Sequence, residues 1–220
     1  MLFPEFVEIV DAEPRGAALN MALDEALAEL ATEPILRFYR WSRPAVSFGC
    51  FGRIADLEAL KSDREIVRRW TGGGIVLHGA DITYSVLAPA SSAFFRETPL
   101  ASYRLIHEVV AEALRRSGVE SDLAPAAQAK MSEACFENPT RFDVLAAGRK
   151  AAGAAQRRTR RGLLHQGSIQ VAADALRVRV ELAALLGLRR ETRGFTSAEM
   201  ATAQRLVAEK YGSEEWLRRR

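Results

Sequence analysis

Apolar and polar positions along this chain change their period several times, and each change marks an element. Phe3 to Val10 reads as a first strand. Leu19, Leu23, Ala26, Leu27 and Leu30 then recur at helical spacing, which predicts an amphipathic helix from Ala18 to Ala31. On that wheel Glu25 and Glu29 point outward, and Asn20 and Asp24 read as solvated polar positions. Pro34 ends the helix. Ile35 to Trp41 and Ala45 to Phe48 read as short strands broken by Pro44, and Gly49-Cys50-Phe51-Gly52 as a turn. Cys50, between glycines, reads as a small packed side chain. Ala55 to Lys61 suits a short helix. Asp81 to Leu87 alternates Ile82, Tyr84 and Val86 against Thr83 and Ser85, a half-buried strand, and Ala90 to Leu100 reads as a loop. Leu105, Val109, Ala113 and Leu114 mark a second long helix, closed by Arg115-Arg116 and Gly118.

Between two of these strands lies Arg68-Arg69-Trp70-Thr71-Gly72-Gly73-Gly74-Ile75-Val76-Leu77-His78. Glu65-Ile66-Val67 before it and Ile75-Val76-Leu77 after it are short and rich in β-branched residues. A tight turn needs one or two glycines, and three cost conformational entropy. The third is explained if a phosphate or carbonyl of a ligand approaches the bare backbone, met by the flanking arginines. The competing reading is a loose hairpin with a charged rim.

The last third carries Ala134-Cys135-Phe136, then Asp143-Val144-Leu145, a hairpin-like turn at Gly148-Arg149-Lys150, and the small run Ala151-Ala152-Gly153-Ala154-Ala155-Gln156. Such small residues make a poor core, so a ligand or another backbone should lie flat on them. Gly162 to Ile169 reads as a strand, a helix is expected near Val180 to Leu188, and Thr196-Ser197-Ala198-Glu199 is a capping-box pattern opening a final helix that runs to Gly212. Asp143 suits a turn cap, and His78 and His165 suit satisfied hydrogen-bonding positions. Helices in irregular alternation with many strands argue an α+β fold with a mixed, largely antiparallel sheet.

Composition narrows the class. The 220 residues are 48% apolar and 27% charged, ordinary for a globular chain, and there is neither an internal repeat nor a low-complexity segment. Two cysteines, Cys50 and Cys135, exclude a disulfide scaffold and suggest the cytoplasm. Glu5, Glu8 and Asp11 argue against a signal peptide, and no apolar run approaches the ~18 residues a membrane helix needs. A net charge of +3, with four arginines between Arg157 and Arg161, keeps a nucleic-acid-binding module in view. However, no stacking aromatic is interleaved with them. The same patch would suit an acidic carrier domain or the phosphate of a pantetheine arm.

Four segments together resemble the lipoate–protein ligase and octanoyltransferase family: Asn20 to Ala26, Ile35 to Ser47, Arg68 to His78, and Gly148 to Gln156. They run in the family's order between residues 18 and 170. The resemblance implies a biotin-ligase-like catalytic domain and transfer of an eight-carbon acyl group to a carrier lysine. It makes Lys150 the motif lysine at the acyl carbonyl. It assigns Arg69, Gly73, Gly74 and His78, with Thr71 and Gly72 of the same motif, to the acyl or adenylate pocket. Gly153 and Ala154 would leave room for a narrow apolar slot, and a cation beside the carbonyl would stabilise an oxyanion.

Two mechanisms share that fold. A ligase activates lipoate with ATP and Mg; a transferase takes octanoate from acyl carrier protein through a cysteine thioester and needs no cofactor. Cys135 lies fifteen residues before Lys150 and no cysteine follows it, which resembles the octanoyltransferases whose nucleophile precedes the lysine. A buried, inert Cys135 is the alternative. The expected acceptor is a lipoyl-carrier protein, either the glycine cleavage H protein or an E2 lipoyl domain of a 2-oxoacid dehydrogenase. No metal, membrane or nucleic acid is expected. The chain is expected to act as a monomer and a single catalytic domain over residues 1–220, without the accessory domain of long ligases. Gln170 to Phe195 reads as shorter than usual in the family, which leaves the carrier-docking surface open.

Overall fold

The computed structural model describes residues 1–60, 63–127 and 139–219, with side chains 58–60 left aside. Cys135 therefore lies outside the described residues. Eleven strands and five α-helices are described: β1 (Phe3–Val10), α1 (Ala17–Leu30), β2 (Ile35–Tyr39), β3 (Ala45–Phe48), β4 (Glu65–Arg68), β5 (Val76–His78), β6 (Ile82–Pro89), α2 (Pro99–Arg116), β7 (Asp122–Leu123), β8 (Val144–Ala146), β9 (Arg149–Arg158), β10 (Gly162–Ile169), α3 (Ala175–Leu186), β11 (Gly187–Arg193), α4 (Ser197–Leu206) and α5 (Glu214–Arg218). Short 3-10 turns cover Ile54–Leu60 and Ala93–Arg96.

Eight strands form one sheet in the order β11-β1-β2-β6-β10-β9-β8-β7, and β4-β3-β5 form a small second sheet. Only β11-β1 and β1-β2 are parallel in the large sheet, so it is mixed and mostly antiparallel, as the sequence pattern argues. Its two faces have different jobs. The row Leu36–Val86 and the row Phe38–Tyr84 look toward α2 and α3 and form the main apolar core with Ile106, Val110, Leu114 and Leu182. The intervening rows, Arg37–Ser85–Gln166–Ala155 and Tyr39–Thr83–Ser168–Gly153, are polar and small, and they face α1 and the second sheet. That alternation follows from the period of two along each strand.

The competing reading of the glycine segment as a loose hairpin falls, and three sequence expectations are corrected. The strands flanking the glycines do not form a hairpin: β3 lies between β4 and β5, parallel to one and antiparallel to the other. Asn20 and Asp24 are fully buried rather than solvated, because Arg37 on β2 supplies the counter-charge that makes their burial possible. Glu25 is also buried, held by Lys210 Nζ at 2.6 and 2.9 Å and by the Tyr211 hydroxyl. The helix expected to run to Leu188 stops at Leu186, and the chain enters β11. That strand pairs parallel to β1 at the sheet edge.

Candidate functional site

A cleft of about 430 Å³, counting its open mouth, lies between the polar face of the large sheet, α1 and the small sheet. Its floor is β9 and β10, through Gly153–Ala155 and Gln166–Ser168. Met21, Tyr39 and Trp41 wall one side, and Ser47, Arg69, Gly73, Val76 and His78 the other. Five of the sequence-predicted residues thus meet at one cavity: Arg69, Gly73, His78, Gly153 and Ala154. Thr71 stands behind it, fully buried, donating to Gln166 Oε1 at 2.7 Å. Gly72 and Gly74 flank Gly73 and lend their carbonyls to the Arg69 guanidinium, at 2.9 Å each.

The two arginines of the motif turn to protein carbonyls. Arg68 ties the Cys50 and Gly52 carbonyls to those of Leu217 and Arg219, at 2.6–3.3 Å, so it clamps the turn after β3 to the C-terminal helix. Arg69 shapes the glycine loop from inside. Gly73 sits at φ +87°, where a side chain is strained. Beneath the loop, a Cβ at Gly49 would overlap the Gly73 carbonyl oxygen and lie 2.6 Å from the Gly72 carbonyl carbon. The loop rests directly on that backbone. Cys50 packs against the cluster under α1 and donates its backbone N–H to Thr71, as a small packed residue.

Lys150 does not itself line the cavity, but two local devices bring it over the floor residue Gly153. Ala147 and Gly148 both have positive φ, the geometry of a two-residue hairpin turn between β8 and β9. Lys150 pairs with Leu145 but Ala152 pairs with Val144, so Ala151 is an extra residue, a bulge. Residues three apart on a regular strand face opposite ways; the bulge puts Lys150 over Gly153. A Cβ at Gly153 would overlap Lys150 Cε and come 2.6 Å from Nζ. The lysine is buried rather than solvated, and its Nζ lies 2.8 Å from Asp143 Oδ2.

Asp143 caps the turn at Thr140, accepting from its backbone N–H (2.7 Å) and hydroxyl (3.0 Å). It also accepts from the Tyr103 hydroxyl at 2.5 Å. β8 pairs no further than Ala152, and the Tyr103 oxygen meets the backbone N–H and carbonyl of Ala154 at the next stretch of that edge. Burial and the Asp143 carboxylate hold the Tyr103 phenol well above its usual range. The His107 ring packs tilted by 52° against Tyr103, with centroids 4.2 Å apart, and bonds the Phe142 carbonyl through Nδ1 at 2.6 Å. Burial pushes His107 down to about 4, and His165, 5.4 Å away, well below the usual imidazole value. His165 is satisfied by Gln156 and Tyr84, as expected. Sequence periodicity alone gave no sign of Tyr103 or His107, which share the α2 face turned to β9.

A second buried network backs the cavity from α1. Asp24 accepts from Arg37, Ser85, Gln166 and Tyr39, at 2.7, 2.6, 2.7 and 3.2 Å, and Arg37 continues to Asp11 and Asn20. It fixes Gln166, and through it Thr71, at the floor. In the arginine patch, Arg157 bonds the Trp70 carbonyl and lies over its ring, while Arg158 bonds the Phe95 carbonyl and lies over that ring. Those two guanidiniums are engaged by protein. Among the described residues no group of three or more His, Cys, Asp or Glu could hold a metal ion, and no helix is long and apolar enough to cross a membrane.

Comparison with known proteins places this geometry. The sequence model of the lipoyl protein ligase A/B catalytic domain matches residues 16–210. A protein of Oceanobacillus iheyensis named octanoyltransferase LipM is 37% identical over 170 residues, 73% of this chain and 62% of that relative. The chain thus spans less than two thirds of that relative's length. The protein of the same name from Moorella thermoacetica is 36% identical over 217 residues, 91% of this chain and 75% of the relative. Among solved structures, a putative lipoate protein ligase from T. acidophilum with bound lipoic acid superposes with a TM-score of 0.78 at 24% identity, covering 96% of this chain and 98% of that one. A lipoate-protein ligase A bound with ATP gives 0.77 at 24%, covering 97% and 98%. At that identity the structures speak for the fold.

Proposed function

The chain belongs to the lipoyl protein ligase A/B catalytic domain family, and we propose that within it the protein is an octanoyltransferase of lipoate biosynthesis. The donor is octanoyl-acyl carrier protein. The Cys135 thiolate attacks the thioester carbonyl, the new C–S bond forms, and the pantetheine thiolate leaves and takes a proton. The ε-amine of a carrier lysine then attacks the acyl-cysteine. The amide bond forms, Cys135 leaves as the thiolate, and the amine's proton goes to that thiolate or to solvent. The acceptor is a lipoyl-carrier protein, the glycine cleavage H protein or an E2 lipoyl domain. The reaction needs no cofactor and takes place in the cytoplasm.

The observation that carries this reading is the small-residue floor with Lys150 laid across Gly153. A saturated chain fits a slot floored by Gly153, Ala154 and Ala155, with His78, Arg69 and the glycine loop of Thr71 to Gly74 as its wall. Lys150, paired with Asp143 and lying over Gly153, is the cation that would meet the negative charge developing on the thioester carbonyl. The relatives named octanoyltransferase favour the thioester route over adenylation. The second reading is a ligase using ATP and Mg, the activity carried in the family's own description. Carrier modification is measured in two parallel reactions, octanoyl carrier protein without ATP, and octanoate or lipoate with ATP. Product in the first alone is expected; product in the second alone would replace the transferase with the ligase.

A further inference from the structure

We propose that Ser47 and Asp81 are positioning residues that hold His78 in a single tautomer and, through it, lock the Arg69 guanidinium into the glycine loop. Arg69 is a donor only. Its Nη1 donates to Ser47 Oγ at 2.7 Å, so the Ser47 oxygen is an acceptor on that side. The serine's own O–H is then left for its other close neighbour, His78 Nε2, also at 2.7 Å. Nε2 must be the unprotonated nitrogen. The proton is on Nδ1, which donates to Asp81 Oδ2 at 2.8 Å.

Asp81 is built to receive it. The same oxygen accepts from Ser168 and Thr83 at 2.7 and 2.8 Å, and Oδ1 accepts from the Gly79 N–H at 3.1 Å. Thr83 can give its proton to Asp81 because its oxygen accepts from Trp41 Nε1 at 2.8 Å. Trp41 also stacks on the His78 ring, centroids 4.1 Å apart. At the far end Arg69 Nη2 holds the carbonyls on either side of Gly73. Every donor therefore points one way, from guanidinium to carboxylate, across β3, β5 and the start of β6. Ser47, Arg69, Thr83 and His78 are all buried. A proton on Nε2 would take the second lone pair of the Ser47 oxygen and leave the serine hydrogen without its acceptor. The relay favours one state of the imidazole, and that state fixes the cavity wall.

The structural half stands whatever the protein transfers; the kinetic half rests on the octanoyltransferase reading. Long-range ¹H–¹⁵N spectra of the ¹⁵N-labelled chain report each of its three histidines, with His78→Gln assigning the signal. At pH 7.5 His78 is expected as Nδ1–H with Nε2 bare. An Nε2–H tautomer or an imidazolium overturns the proposal even if octanoyl transfer is never seen. In steady-state transfer, Ser47→Ala and Asp81→Asn are expected to raise KM for octanoyl carrier protein roughly tenfold or more, with kcat changed less. Ser47→Thr, which keeps the hydroxyl, restores KM. Unchanged KM in both variants, or a threonine no better than alanine, overturns the link from the relay to the cavity.

Discussion

Lys150 and Gly153 are a matched pair, since the space a Cβ would need at 153 is already filled by the lysine's last carbon and nitrogen. Gly153→Ala presses its methyl onto Lys150 Cε and Nζ and comes 3.3 Å from Asp143 Oδ1, so it disturbs a buried ion pair and we expect it to cost about 1–3 kcal/mol. It should also lose octanoyl transfer at least tenfold, because the ammonium is moved off Gly153. Chemical denaturation and a carrier-modification assay separate the two effects. Asp143→Asn acts from the other side of the pair. It removes the carboxylate that pairs with the buried Lys150 ammonium at 2.8 Å, which should cost about 3–5 kcal/mol and show as a fall in the denaturation midpoint. Lys150 is singled out in the sequence by the resemblance of Gly148 to Gln156 to the family's lysine segment. Its ion pair with Asp143, and the Tyr103 hydroxyl on that carboxylate, are not legible there, since the bulge at Ala151 has no composition signal.

At the scale of elements, the glycine loop and its supports explain both what the pattern revealed and what it hid. Short β-branched runs announced β4 and β5, but nothing in them says that β3 inserts between the two. Gly49 looked like an ordinary turn residue, although the loop's backbone lies directly on it. Gly49→Ala would press a methyl into backbone atoms, which cannot yield as a side chain does. We expect a loss of several kcal/mol, or no soluble protein, where Gly52→Ala, whose new methyl meets the Phe48 side chain at 3.1 Å and the Gly49 carbonyl at 3.3 Å, costs less. Thermal melting of the two variants side by side decides it. α1 was read as amphipathic because its polar residues fall on one side of the wheel. They are buried because the sheet supplies Arg37, and the segment after α4 supplies Lys210 and Tyr211, charges and donors far away in sequence. β11 escaped notice because a strand at a sheet edge may be mostly charged, and Gly187 to Arg193 has one apolar side chain.

Over the whole molecule, the two faces of the large sheet divide stability from chemistry. The α2 and α3 face is an apolar core, but it contains His107 and His165, both neutral when folded. His107 is lowered from 6.5 to about 4 by burial, so between those values the unfolded chain binds a proton that the folded chain does not. Stability therefore rises with pH through that window, is fully present above 6.5, and is lost as pH falls toward 4. For this histidine the loss is about 3 kcal/mol. Melting temperature against pH should show it, and His107→Gln should make the curve less steep between 4 and 6.5, with His165 still contributing there. An equally steep curve in the variant would assign the acid sensitivity elsewhere. The other face holds the slot, and the proposed transferase reaction depends on a thioester at Cys135. Intact-mass spectrometry after mixing the protein with octanoyl carrier protein, with no ATP present, tests it directly. The account predicts one octanoyl adduct, removed by hydroxylamine and absent from Cys135→Ala. An adduct that persists in that variant, or none in the wild type while carrier octanoylation proceeds, would contradict it.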